Sequence, residues 1–118
     1  MSPLLAHIAF SETHRGRNYL DEERFAIAFA GGKFRMNQWG MGKIKQALKL
    51  KQVSAYSINK ALGGIDKKEY RKVAEKLAAK KYALLMNEKE IIRKRKTMDY
   101  LIVKGYEAEL VKGVVEGR

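Results

Sequence analysis

Residues 53–78 read VSAYSINKALGGIDKKEYRKVAEKLA, and this stretch decides the fold. Ser54 stands where a residue would cap a helix. Val53 and Ile58 flank its first turn as a hydrophobic staple. Ile58, Ala61 and Leu62 make an apolar stripe, and Gly63-Gly64 stops it. The pattern then restarts. Asp66 and Glu69 form an Asp-x-x-Glu capping box with Ile65 and Tyr70 as staple. Tyr70, Val73, Ala74, Leu77 and Ala78 follow at helical spacing.

The same grammar extends outward. Toward the N-terminus, a helix after Gly40 and Gly42 carries Ile44, Ala47 and Leu48 on one face and Lys45, Lys49 and Gln52 on the other. Before it, Asp21 is expected to cap a helix with Glu22 and Glu23 in its first turn. Phe25, Ala28 and Phe29 form its apolar face, and Gly31-Gly32 is expected to weaken or end it. Toward the C-terminus, Asn87 and Glu90 read as a further capping box stapled by Met86 and Ile91. Ile91, Met98, Leu101 and Ile102 read as the inner face of that helix, which Gly105 closes. Val111, Val114 and Val115 mark a last short helix before Gly117. No stretch alternates as a strand would. The expectation is an all-α chain of about six helices in two sets of three, after a leader.

The two sets resemble each other. A shift of 53 residues lays Leu48 on Leu101, Lys51 on Lys104, Val53 on Tyr106 and Ile58 on Val111. The first helices match at a shift of 45, with Asp21 on Asp66 and Phe25 on Tyr70. A period of this size suits stacked helical units. The expected organisation is a leader at 1–18, a first three-helix unit at 19–64 and a second at 65–118.

The 118 residues carry 25 Lys+Arg against 13 Asp+Glu, a formal net charge of +12. With 46% apolar residues the chain can build a core, so it is no disordered basic tail. Residues 24–65 hold eight basic side chains and no acid, and the whole excess lies between Arg24 and Lys96. Mixed signs are usual on a plain solvated surface, so this points to a polyanion or an acidic protein as partner. There is no cysteine, which excludes disulfides and thiolate metal sites and fits a reducing compartment. No apolar run approaches a membrane span, and Met1–Phe10 lacks the flanks of a signal peptide.

Catalytic signatures are missing. His7 and His14 lie seven residues apart, and no HExxH, phosphate-binding G-x-x-x-x-G-K-[ST] or G-x-G-x-x-G pattern occurs. The expectation is no enzyme, no metal, no cofactor and no small-molecule substrate.

On the helix after Asn87, Lys89, Arg93, Lys96, Tyr100 and Lys104 fall within about 80° at ~100° per residue, opposite Ile91, Met98 and Ile102. In the first set, Lys33, Arg35, Lys43, Lys45 and Lys49 are the candidate contacts. A solvated helix face would look the same taken singly. Arg95 points near the apolar side, where bridging to an acid or snorkelling is expected. Trp39 is expected to pack the helix junction more than to anchor a partner. A helix-turn-helix reading of 43–62 leaves only Tyr56, Ser57, Asn59 and Lys60 to reach bases.

Several of these residues are similar to signatures of the RecX family, regulators of the RecA recombinase. Glu23-Arg24-Phe25-Ala26 resembles its "ERFA" signature. Lys33-Phe34-Arg35 with Trp39-Gly40 and Lys43-Ile44 resembles its "KFR…WG…KI" stretch. Leu48 with Lys51-Gln52-Val53 resembles its "L..KG(I/V)" turn, with Gln52 where glycine is common. Ala61-Leu62 and Ile65-Asp66 also fit. Tyr100-Leu101 and Lys104-Gly105-Tyr106 resemble its closing "L…(R/K)GF". The likeness spans roughly residues 19–116. It implies tandem three-helix, helix-turn-helix-like units in a curved array. It implies binding in the groove of RecA–DNA filaments and lowered RecA ATP hydrolysis, strand exchange and coprotease activity, in bacterial DNA repair, homologous recombination and the SOS response. It also implies a cytoplasmic, non-enzymatic protein that contacts single- or double-stranded DNA more weakly or indirectly. Arg24, Phe25, Trp39, Ile44, Leu48 and Tyr70 are expected to serve the fold. Residues 1–18 are too short for a further complete unit, so they read as a leader or as the remnant of a preceding unit.

Overall fold

A computed structural model describes residues 19–117, which form six helices and no strand. They are α1 (Tyr19–Asn37), α2 (Met41–Leu50), α3 (Ala55–Gly63), α4 (Lys67–Leu84), α5 (Glu90–Val103) and α6 (Ala108–Glu116). The leader, with His7 and His14, lies outside the described residues.

The local signals around the deciding stretch hold. The Ser54 side chain accepts from the Ser57 amide, and the Asp66 carboxylate accepts from the Glu69 amide at 2.9 Å. Both staples are buried: Val53 with Ile58, and Ile65 with Tyr70. The shift of 53 is visible in the backbone. α2 ends as Gln52 N donates to Lys49 O and Val53 N to Leu48 O, and α5 ends as Gly105 N donates to Ile102 O and Tyr106 N to Leu101 O. These are the paired bonds of a Schellman turn, whose C′ residue is left-handed. Gln52 has φ 63° and Gly105 φ 106°. A side chain in that region costs about 1–2 kcal/mol, part of which glycine's own chain entropy cancels. Gln52 is exposed, so Gln52→Gly is expected to raise stability by about 0.5 kcal/mol and Gln52→Val to lower it by about 1 kcal/mol, read from urea midpoints.

Four expectations need correction. α1 begins at Tyr19, which places Asp21 inside its first turn rather than at its cap. It also runs through Gly31-Gly32 to Asn37. Its buried row is Glu22, Ala26, Ala30 and Phe34, spaced by four, whereas Ala28 is exposed and Phe25 and Phe29 half-buried. Two glycines cost about 2 kcal/mol together, and burying Phe34 alone returns about 1.5–3 kcal/mol. Third, Asn87 caps nothing: Lys89 is the N-cap residue of α5 without a side-chain cap, and Met86 and Ile91 are 72% and 76% exposed. Fourth, of the expected inner face of α5 Leu101 is buried and Met98 packs against the core, but Ile91 and Ile102 face solvent and Thr97 is buried instead. Thr97 is tolerated there because its hydroxyl donates to Arg93 O at 2.8 Å.

The core runs continuously through both sets of helices. In the first, Ile44, Leu48, Ile58 and Ala61 pack under Ala26 and Ala30, whose small side chains let α1 and α3 approach closely. In the second, Tyr70, Ala74, Leu77 and Ala78 of α4 meet Leu101, Val111, Val114 and Val115.

Candidate interaction surface

The surface is organised by the seam between the two sets. The turn after α5 docks against the start of α2: Gly40 N donates to Lys104 O at 2.7 Å and Gly42 N to Gly105 O at 2.9 Å. The Tyr70 hydroxyl accepts from Met41 N at 2.8 Å and donates to Glu107 Oε1 at 2.6 Å. The Tyr106 hydroxyl donates to Gln38 O at 2.9 Å. Between them Phe34, Tyr70 and Tyr106 stack, with ring centroids 5.8 and 5.0 Å apart. Burial pushes both phenols well above their ordinary pKa, and Glu107 adds to it at Tyr70, so both stay protonated donors.

A second internal brace is Glu22. Its carboxylate is buried and accepts from Ser54 N at 2.7 Å, Ser54 Oγ at 2.8 Å and Ser57 Oγ at 2.9 Å. An acid placed by sequence at the start of its own helix therefore serves the start of α3, where the helix dipole favours it.

The candidate basic residues divide into two kinds. Arg35, Lys45 and Lys49 are exposed, as is Lys89. Lys96 is exposed and pairs with Glu88 at 2.7 Å. The rest are held. Arg93 donates from Nε to Tyr82 O at 2.8 Å and lies 3.6 Å from the centroid of the Tyr82 ring, whose hydroxyl donates to Glu90. That bond to a carboxylate raises the Tyr82 pKa. Lys104 donates to Asn37 O at 3.0 Å, and burial with the nearby Lys43 charge lowers its pKa. The five-member basic stripe on α5 is thus divided. Thr97 and Leu101 lie about a quarter-turn from it, so Arg93, Tyr100 and Lys104 line the helix seams while Lys89 and Lys96 face water. Arg95 is exposed rather than turned toward the apolar side.

Lys33 and Lys43 are held by Trp39, 4.9 and 4.6 Å from its ring centroid. Phe29 likewise lies 5.5 Å from both Lys33 and Lys51, and Tyr100 lies 5.2 Å from Lys81 and 6.0 Å from Lys104. Each such contact contributes about 0.5–1 kcal/mol at an exposed site. Trp39 packs the helix junction as expected, half-buried against the core. The sequence reading missed Lys51, Lys81, Phe29 and Glu22. Only the spacing Phe29–Lys33, one helical turn, was a local signal for any of them. Ile44, Leu48 and Tyr70 are core residues, and Arg24 is exposed. A base-reading α3 is ruled out in part, since Ser57 is fully buried. The clefts are shallow, and the one between α1, α3 and α4 has as its acids Asp66, which caps α4, and Glu69. Among the described residues no group of three His, Cys, Asp or Glu side chains could hold a metal, and no helix is long and apolar enough to cross a membrane.

Residues 21–62 match the family profile of the RecX second three-helix domain, and residues 65–115 match that of the RecX third three-helix domain. The chain belongs to the RecX family. It is 34% identical over 101 residues to the regulatory protein RecX of Clostridium botulinum (strain Alaska E43 / Type E3), covering 84% of this chain and 47% of that protein. It is 33% identical over 100 residues to the RecX of Clostridium perfringens (strain 13 / Type A), covering 83% and 46%. The chain thus spans about half the length of the curated relatives it matches. A crystal structure of regulatory protein RecX superposes with a TM-score of 0.76 over 91% of this chain and 52% of that one, at 24% identity, which shows the fold. The RecX tandem of three-helix domains accounts for the seam: each unit is small and completes its burial on its neighbour.

Proposed function

We propose that this chain regulates RecA by binding its nucleoprotein filament and lowering ATP hydrolysis, strand exchange and coprotease activity. Membership in a family of regulatory proteins named RecX carries this reading. The surface supports it: exposed cations on α2 and α5 sit on two units locked by backbone hydrogen bonds, which suits an extended contact with acidic protein and phosphate. In this reading the candidate contacts are Lys33, Arg35, Lys43, Lys45, Lys49, Lys89, Arg93, Lys96 and Lys104. Arg93 and Lys104 act chiefly by shaping the surface, because each is already hydrogen-bonded within the fold. The protein works in the bacterial cytoplasm, without catalysis, in recombination and the SOS response. The proposed units are 1–18, 19–64 and 65–118.

RecA ATP hydrolysis on single-stranded DNA, with and without this chain, tests the reading. Inhibition is expected at concentrations too low to coat the DNA, and inhibition only at coating concentrations would favour a generic basic DNA-binding module. Lys45→Glu with Lys49→Glu reverses two exposed charges one turn apart on α2. Inhibition by this variant is expected to need about tenfold more protein, roughly 1.4 kcal/mol of lost contact. Wild-type inhibition by it would remove the α2 patch from the interface.

A further inference from the structure

No residue between Ala78 and Thr97 is buried. The end of α4, the joining turn and the start of α5 therefore stand clear of the core as a hairpin tip. Polar contacts hold this tip in shape. Arg93 Nε donates to Tyr82 O, the Tyr82 hydroxyl donates to Glu90, and Lys96 pairs with Glu88. The large apolar side chains of the tip take no part in these contacts. Leu84 continues the row of Tyr70 and Leu77 along α4, seven residues further on, yet it is 73% exposed. Met86 in the joining turn and Ile91 in the first turn of α5 are equally open. A single exposed apolar residue is ordinary, but three within eight residues at a projecting tip mark a contact site.

The surrounding charge narrows what that contact is. Residues 79–96 hold seven Lys or Arg and two acids, a net charge of +5, and both acids are already engaged within the tip. Two copies meeting tip to tip would bring these charges together and repel. Nucleic acid answers the cations but gives Leu84, Met86 and Ile91 little, because these side chains have no aromatic face on which a base could stack. An anionic bilayer supplies both requirements in one plane. Its acyl boundary takes the apolar side chains, and its headgroup phosphates meet cations whose apolar stems lie alongside them. We propose that the α4–α5 tip binds the surface of an anionic phospholipid membrane, with Leu84, Met86 and Ile91 in the headgroup–acyl boundary and the exposed Lys80, Lys89 and Arg95 at the phosphates. The tip rests on the surface, since no helix among the described residues is long and apolar enough to cross a bilayer. The inference goes beyond the RecA reading and does not depend on it.

The full chain is sedimented with vesicles of phosphatidylethanolamine mixed with phosphatidylglycerol, and separately with phosphatidylcholine vesicles, near physiological salt and without RecA or DNA. Binding is expected to the anionic vesicles, with an affinity about tenfold or more above that for the neutral ones. The triple variant Leu84→Ser, Met86→Ser, Ile91→Ser removes exposed apolar atoms and no charge. Its affinity for the anionic vesicles is expected to fall about tenfold or more, with helical circular dichroism unchanged. Wild-type protein left in the supernatant, equal binding to both kinds of vesicle, or wild-type affinity in the triple variant would each overturn the proposal. The last of these, joined to lost inhibition of RecA ATP hydrolysis by the variant, would assign the tip to a protein partner instead. Because RecA is absent from the vesicle assay, failure there leaves the inhibition of its ATP hydrolysis as a separate reading.

Discussion

Gly40→Ala is expected to break the seam between the two three-helix units. A Cβ at this position would lie 2.2 Å from the carbonyl carbon of Gly105 and 2.3 Å from Tyr106 N, both backbone atoms that no rotamer change can move. The backbone of Gly40 itself is ordinary, with φ −77°, so the penalty is steric rather than conformational. Relief requires the Lys104–Glu107 turn to retreat. That retreat stretches the bonds from Gly40 N and Gly42 N, and it unseats the Tyr70 and Tyr106 rings. Overpacking of this kind costs about 1–3 kcal/mol, and buried backbone groups left unpaired add about 1–3 kcal/mol each. A loss on the order of 3 kcal/mol or more is expected in denaturant unfolding. Rapid amide exchange at Gly40, Met41 and Gly42 should accompany it, since all three donate across the seam in the intact fold. Gly32→Ala is the matched control. Its Cβ meets nothing within 4 Å inside a helix, so it should stabilise by about 0.5–1 kcal/mol. A Gly40→Ala protein as stable as wild type would show that the turn does not hold the units together.

Glu22→Ala should be the next most damaging change. It removes the acceptor for Ser54 N, Ser54 Oγ and Ser57 Oγ at a site that is 3% exposed, and Ser57 is itself fully buried. Stranding buried donors that had a charged partner costs about 3 kcal/mol. At roughly 4–8 °C per kcal/mol, Tm should fall by about 12–24 °C. Asp21→Ala, one position away and exposed, should cost less than about 1 kcal/mol, because only its interaction with the helix dipole is lost. Equal effects of the two substitutions would refute the brace. Intact α3 is also a condition for the basic surface of α2, because α2 and α3 share the Leu48, Val53 and Ile58 core.

The contrast between these neighbouring acids shows what sequence patterns reach. Asp21 reads as a cap and Glu22 as a first-turn acid, yet both lie in the first turn of α1, and only the approach of α3 separates them. The double glycine in α1 likewise signals a stop, because a local rule sees the cost of glycine and not the burial of Phe34 beyond it. On α5 the branched residues Ile91 and Ile102 look like a core face, yet the core takes the row with Thr97 and Leu101. The candidate basic residues of the first unit were legible as a group from the acid-free stretch 24–65, and those of the second from their common face on α5. How each is held was not, since the rings and carbonyls that hold Lys43 and Lys104 belong to other helices.

By itself, then, the sequence determined six helices, the caps of α3 and α4, the ends of α2 and α5, the repeat at 53 residues and the RecX membership. These depend on groups within a few residues of each other, where side chain and backbone compete for the same hydrogen bonds. The tertiary structure alone decided which face of α1 and α5 is buried, the seam at Gly40 and Gly105, the brace at Glu22 and the alternation of lysines with rings. Each joins residues distant in sequence, and packing against a neighbouring helix outweighs local propensity there because burial returns more free energy than a glycine or an exposed isoleucine costs.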